Sequence, residues 1–256
     1  MSMPTTFELD GKLAFVSGAS RGIGEAGARL LAAHGAHVIV SSRRIEACEA
    51  VARSIREAGG SAEALACHIG DPDSIAATFA TIDAQHGRLD VLVNNAAANP
   101  YFGPIVDTGI DAFQKTVDVN IRGYFLMSQA AAKRMARQGG GSIINVASVN
   151  GVIPGDGQGI YSITKAAILS MTKAFAKECA AQGVRVNALL PGLTDTRFAG
   201  PLIHDPAILA RALGHIPLGR VAEPAEMAGA LLFLASSASS YVTGTWLNVD
   251  GGYLSA

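Results

Sequence analysis

Ser148 is followed thirteen residues later by Tyr161-Ser162-Ile163-Thr164-Lys165. Tyrosine and lysine at i, i+4 share one helix face, so the ammonium can lie near the phenol. A free phenol titrates near 10, too high for proton transfer at neutral pH. A cation roughly 4 Å away, at an effective dielectric of about 20, contributes about 4 kcal/mol. At about 1.4 kcal/mol per unit, that lowers the phenol by up to about three units. The spacing therefore predicts a Tyr161 acid/base tuned by Lys165, with Ser148 hydrogen-bonding a substrate oxygen. The pair alone also occurs on ordinary amphipathic helix surfaces, so it needs a second motif.

That motif is Gly18-Ala19-Ser20-Arg21-Gly22-Ile23-Gly24, directly after the apolar run Leu13–Ser17. Glycines between a first strand and its helix let backbone N–H groups approach a pyrophosphate at the helix N-terminus. The turn starts at Gly18, so the working pattern is G-x-x-x-G-x-G, and Gly27 reads as a site of close helix–sheet packing. A site for the unphosphorylated cofactor usually carries an acid about 20 residues on, at the end of the second strand. Here that end reads Ser41-Ser42-Arg43-Arg44, with no acid before Glu46. Ser42, Arg43 and Arg21 suit a 2′-phosphate, which guanidinium binds bidentately, so the expectation is NADP(H), with NAD(H) left open.

These residues need a scaffold, and the patterning predicts one. Strand-like runs at Leu13–Ser17, His37–Ser41, Ala62–His68, Val91–Asn94, Ser142–Ala147, Arg185–Leu190 and Trp246–Val249 are mostly continuous apolar stretches, as in parallel strands covered on both faces. Helical patterns lie between them at 23–34, 45–58, 72–85, 109–138, 161–182 and 223–235. Asp71-Pro72 and Glu223-Pro224 read as helix starts. The alternation predicts one α/β domain over residues 1–256 with a doubly wound parallel sheet. Residues 194–216, apolar yet broken by prolines, read either as a substrate lid or as a packed surface excursion.

Composition excludes other classes. With 49% hydrophobic and 16% charged residues, the 256-residue chain can bury enough surface to order itself. Its 20 basic and 21 acidic residues, net −1, create no field that recruits nucleic acid. The longest apolar run, Met227 to Ala235, is too short to span a membrane. The start MSMPTTFELD has no basic patch leading into an apolar stretch, so the expectation is a cytoplasmic protein without a secretory signal. Cys48, Cys67 and Cys179 form no disulfide framework, and the six histidines show no metal-ligand spacing, so no metal is expected.

Together, Gly18-x-x-x-Gly22-x-Gly24, Asn94-Asn95-Ala96, Asn120, Ser148, Tyr161-x-x-x-Lys165 and Pro191-Gly192 resemble, in order and spacing, the short-chain dehydrogenase/reductases. The resemblance extends through Asn248-Val249-Asp250-Gly251-Gly252. It implies a Rossmann-type seven-stranded sheet of order 3-2-1-4-5-6-7 with helices on both faces, and hydride transfer between nicotinamide and a carbonyl or alcohol. It implies that Tyr161 is the acid/base, that Lys165 lowers its pKa and binds the nicotinamide ribose, and that Ser148 orients substrate. The Asn120 main chain would hold a relay water. Asn95 and Ala96 would lie along the cofactor, while Pro191, Gly192 and the Leu193–Thr196 backbone, with Thr194 and Thr196, would receive the carboxamide.

The segments Ser41–Arg44 and Asn95–Gly103 look most like NADPH-dependent carbonyl and retinal reductases of the peroxisomal type. The terminal Leu254-Ser255-Ala256 does not look like a peroxisomal address. Ala97 stands where the family usually has glycine, and His68, with Asp71 beyond it, replaces an acid that meets adenine. Tyr101 and Phe102 are candidates for the substrate pocket. Asp156 and Gln158, between Ser148 and Tyr161, are candidate substrate contacts. The region around Trp246 and Tyr253 resembles a segment buried between subunits, implying a homotetramer. Alternatives are a 3-oxoacyl-carrier-protein reductase, whose partner would meet Lys133, Arg134 and Arg137, and a catalytically inactive cofactor-binding sensor or scaffold.

Overall fold

The structure, a computed structural model, describes residues 7–255. The leader reading of residues 1–6 and the last position of the terminal tripeptide, Ala256, lie outside them. Seven parallel strands form one sheet of order β3-β2-β1-β4-β5-β6-β7. They are β1 Leu13–Ser17, β2 His37–Ser42, β3 Ser61–Ala66, β4 Val91–Asn94, β5 Gly141–Val146, β6 Val184–Pro191 and β7 Trp246–Val249.

Side chains alternate along each strand, so consecutive apolar residues feed two cores. Ala14 and Val16 of β1 join a layer built with helices α1 (Gly22–Ala33), α2 (Ile45–Glu57) and α9 (Pro224–Ala235), through Leu31, Ile55 and Leu231. Leu13 and Phe15 join the opposite layer, with α3 (Pro72–Gln85), α5 (Tyr124–Arg137) and α6 (Gly159–Cys179), through Phe79, Met127 and Ile168. Asp71 caps α3 by accepting from the Asp73 N–H at 3.0 Å. At the start of α9, the Glu226 carboxylate accepts from the Glu223 N–H at 2.8 Å. Both starts are where Asp-Pro and Glu-Pro place them.

Three features refine or depart from the sequence expectation. The single helix expected at 109–138 is three pieces: α4 (Ile110–Val117), a π-helical turn at Asp118–Gly123, and α5. Residues 194–216, left open in sequence between a lid and a packed surface excursion, hold two short helices, α7 (Gly200–Ile203) and α8 (Pro206–Leu213). Gly27 faces a helix, not the sheet: a Cβ there would lie 2.6 Å from Cδ1 of Leu231 in α9.

Candidate active site

All parallel strands point their carboxyl ends the same way, and the sequence-selected residues collect at that edge, where α/β sheets bind ligands. Gly18 (φ +66°) and Gly22 (φ +60°) occupy backbone conformations that favour glycine. A Cβ on Gly24 would lie 2.5 Å from both Asn95 Nδ2 and the Gly18 carbonyl oxygen. Asn95 clamps the turn, donating from Nδ2 to the Ser17 and Gly18 carbonyls at 3.0 and 3.1 Å. Ser17, which the sequence did not single out, joins β1 to β4: its hydroxyl donates to Val93 O and accepts from the Asn95 and Ala96 N–H groups. Thr196 arches over Gly22, its Cγ2 3.2 Å from where a Cβ would stand. Thr194 is buried and its hydroxyl donates to Gly192 O at 3.0 Å.

The cradle fits a dinucleotide. Its glycines leave space that a side chain would fill, and it ends in the helix N-terminus at Gly22. The buried Ser41 hydroxyl at the end of β2 has no hydrogen-bond partner. Arg21, Arg43 and Arg44 are exposed around this end of β2. Ser42, by contrast, is engaged locally with Arg44 O and the Cys48 thiol. His68 and Asp71 are committed elsewhere, the imidazole Nδ1 accepting from Gly70 N–H and Asp71 capping α3.

Ser148, Tyr161 and Lys165 converge beyond β5. Ser148 is half-buried, its hydroxyl accepts from the Asn150 N–H at 3.1 Å, and it lies close enough to the Tyr161 phenol to pull its pKa down. Lys165 is 1% exposed, its Nζ donating to Val146 O at 2.7 Å and lying 5.4 Å from the ring centroids of both Tyr161 and Tyr124. Tyr124, also missed in sequence, donates to the same Val146 oxygen at 3.1 Å. Asn120 sits in the π-helical turn, a feature frequent at functional sites. Its side chain is consumed by Ala98 and by Thr164 Oγ1, so only its main chain is left for a relay.

The electrostatics correct the sequence expectation. Burial raises the Tyr161 phenol above its ordinary value, and the Ser148 hydrogen bond only partly opposes it. Burial also pulls Lys165 down to about 7. Desolvation disfavours both charged forms, and the lysine, turned to a backbone carbonyl, does not depress the phenol in the chain alone.

Phe198 covers the open side of Tyr161, ring centroids 5.6 Å apart. Phe102 lies against the loop between Ser148 and Tyr161, 3.2 Å from the Cβ position of Gly157. An exposed ion pair joins Arg211 of α8 to Asp156 of that loop. Tyr101 turns away to Pro104 O. Arg134 is not part of a free basic face: it is pinned to Asp83 and lies 4.7 Å over the Phe79 ring. Histidines without metal-like spacing in sequence do meet in space, at His37 and His86 around Glu63.

Comparison with known proteins places this geometry. The family profile described as Enoyl-(Acyl carrier protein) reductase matches residues 18–254. Dehydrogenase/reductase SDR family member 4 of Oryctolagus cuniculus is 38% identical, covering 95% of this chain and 94% of its own. The 3-oxoacyl-[acyl-carrier-protein] reductase FabG of Vibrio harveyi is also 38% identical, over 95% of this chain and 98% of its own. A gluconate 5-dehydrogenase from Burkholderia cenocepacia, solved in complex with NADP and tartrate, superposes with TM-score 0.94 at 34% identity, covering 98% of both chains. The chain belongs to the short-chain dehydrogenase/reductase family, nicotinamide-dependent oxidoreductases acting on CH–OH and C=O groups. No helix among the described residues is long and apolar enough to cross a membrane.

Proposed function

We propose that the protein is an NADP(H)-dependent reductase of a fairly hydrophobic ketone or aldehyde, with the reverse alcohol oxidation on the same residues. The observation that carries this reading is a buried Tyr161, whose burial favours the neutral phenol, beside a half-buried Ser148 at the carboxyl edge of the sheet. Nicotinamide, when bound along Gly18–Gly24, Asn95, Ala96 and Pro191–Thr196, supplies or accepts the hydride. The substrate carbon gains that hydride while its oxygen takes the Tyr161 proton, giving the alcohol. Ser148 holds the same oxygen by a hydrogen bond. Lys165, relayed by a water held on the Asn120 main chain, returns a proton from solvent to Tyr161. Phe102, Phe198 and the exposed Val152 and Ile153 form the apolar surround. Residues 194–216 act as the lid, tied across the opening by Arg211 and Asp156. The single domain assembles as a homotetramer in the cytoplasm.

Arg21 and Arg43 support the phosphorylated cofactor. Both are exposed beside the end of β2 and make no ion pair among the described residues. Fluorescence titration tests it. NADPH should bind at least tenfold tighter than NADH, about 1.4 kcal/mol, and Arg43→Ala should erase that preference while leaving NADH affinity alone. Equal or tighter NADH binding to the wild type contradicts the assignment.

A second reading, reduction of a 3-oxoacyl carrier-protein thioester, draws on the likeness to the Vibrio harveyi enzyme. Lys133 and Arg137 remain exposed for a carrier protein, although Arg134 does not. A carrier-bound substrate turned over far faster than its free thioester analogue favours this second reading.

A further inference from the structure

The cluster at the opposite end of the sheet has no role in the reaction above. His37 opens β2, Glu63 lies in β3, and His86 follows α3. From His37 to Ser42 the strand rises roughly 16 Å, which separates the cluster from the cofactor edge. His86 Nε2 stands 2.7 Å from Glu63 Oε1, and His37 Nε2 stands 3.7 Å from Glu63 Oε2. The three prospective ligand atoms all lie within 4.8 Å of one another.

We propose that His37, Glu63 and His86 form a divalent transition-metal site, best suited to Zn²⁺, with solvent as the fourth ligand.

Two imidazoles and one carboxylate are a zinc donor set. Bonds of about 2.0–2.2 Å in tetrahedral geometry put ligand atoms roughly 3.3–3.5 Å apart; the imidazoles approach different oxygens of Glu63, at 2.7 and 3.7 Å, and the set spreads over no more than 4.8 Å, so small side-chain rotations must draw it together. Rotation of side chains that are 34%, 35% and 21% exposed accommodates the difference and leaves the fourth position open to water.

A second observation points to a ligand. His37 Nε2 is buried and has no hydrogen-bond partner. Its other ring nitrogen is held by Ser61 Oγ at 2.7 Å, the outer hydrogen bond that orients metal-binding imidazoles. With the proton on Nδ1, the bare Nε2 lone pair faces a carboxylate oxygen, an arrangement that a cation between them relieves. His86 then carries its proton on Nδ1, replacing its contact to Glu63 by the metal bond. The parallel register that pairs His37 with Ser61 holds the imidazole, the Glu63 carboxylate and the Ser61 hydroxyl together. A bound ion would tie the end of α3 to the edge strand β3 and stabilise the fold, since the site needs all three elements in place.

The test uses untagged, chelator-stripped protein titrated with Zn²⁺ by isothermal calorimetry, with metal content after dialysis as a second reading. One ion per chain and a raised Tm are expected. Glu63→Gln and His86→Asn should each weaken binding at least about tenfold and abolish the Tm gain, while His34→Ala leaves both unchanged. Circular dichroism and NADPH binding report whether each variant is folded, and the two substitutions at different elements guard against loss of one. Bound Co²⁺ should show the intense visible absorption of a four-coordinate site, absent in Glu63→Gln. Substoichiometric binding, or binding that survives both substitutions, overturns the proposal and leaves a metal-free hydrogen-bonded ion-pair cluster.

Discussion

Lys165 is buried with its ammonium turned to a backbone carbonyl, and burial pulls its pKa from the ordinary 10.5 to about 7. Between those two values the unfolded chain carries a proton that the folded chain lacks. Stability from this group therefore rises with pH across that window, by up to about 1.4 kcal/mol per unit. The contribution is complete above about 10.5 and gone below about 7. Denaturant unfolding between pH 7 and 9.5 should show a steeper rise for wild type than for Lys165→Met; parallel curves would mean that the lysine is solvated. Ser17 makes a different kind of contribution. Ser17→Ala leaves the Asn95 and Ala96 N–H groups without their acceptor, costing about 1–3 kcal/mol. The urea midpoint should fall, and NADPH binding should weaken with it. The convergence of Ser148, Tyr161 and Lys165 was legible from their types and spacing. The direction of the Tyr161 shift was not, because it comes from burial, which an i, i+4 spacing does not encode.

At the scale of elements, two glycines of one helix face different obstacles. Gly24→Ala drives a Cβ to 2.5 Å from the fixed Gly18 carbonyl, whereas Gly27→Ala presses on the end of one Leu231 side chain at 2.6 Å. Gly24→Ala should abolish nicotinamide binding. Gly27→Ala should keep it and cost about 1–3 kcal/mol in thermal stability. Equal binding by both would show that the glycine turn is not a cofactor cradle. The strands were legible because apolar runs of four to eight residues between helical patterns leave little choice: β1, β4 and β7 have the expected bounds. The π-helical turn at Asp118–Gly123 was not, since one extra residue in a turn changes hydrogen bonding without changing residue type. The helices of residues 194–216 have a signal in the sequence. Asp205-Pro206 repeats the Asp71-Pro72 start, and Asp205 caps Ala207 and Ile208. The His37–Glu63–His86 cluster had none, because strand register and not sequence proximity assembles it.

For the whole molecule, the edge strand β7 and the first turns of α4 and α5 leave Leu247, Ile110, Phe113 and Phe125 exposed in one chain. The tetramer reading predicts a light-scattering mass of four 26.3 kDa chains, with Leu247→Asp shifting it to smaller species; a wild-type monomer would contradict it. The glycine turn, Tyr161 and residues 194–216 come from different parts of the chain, and only the proposed turnover requires all three at once. The most direct test of the whole account is NADPH consumption with a panel of apolar ketones, aldehydes and diketones, comparing wild type with Tyr161→Phe. Wild type should consume NADPH in step with alcohol formed. Tyr161→Phe should bind NADPH normally and lose at least about 10²-fold in kcat. Turnover that survives in Tyr161→Phe would contradict the proton-transfer role on which the reading rests.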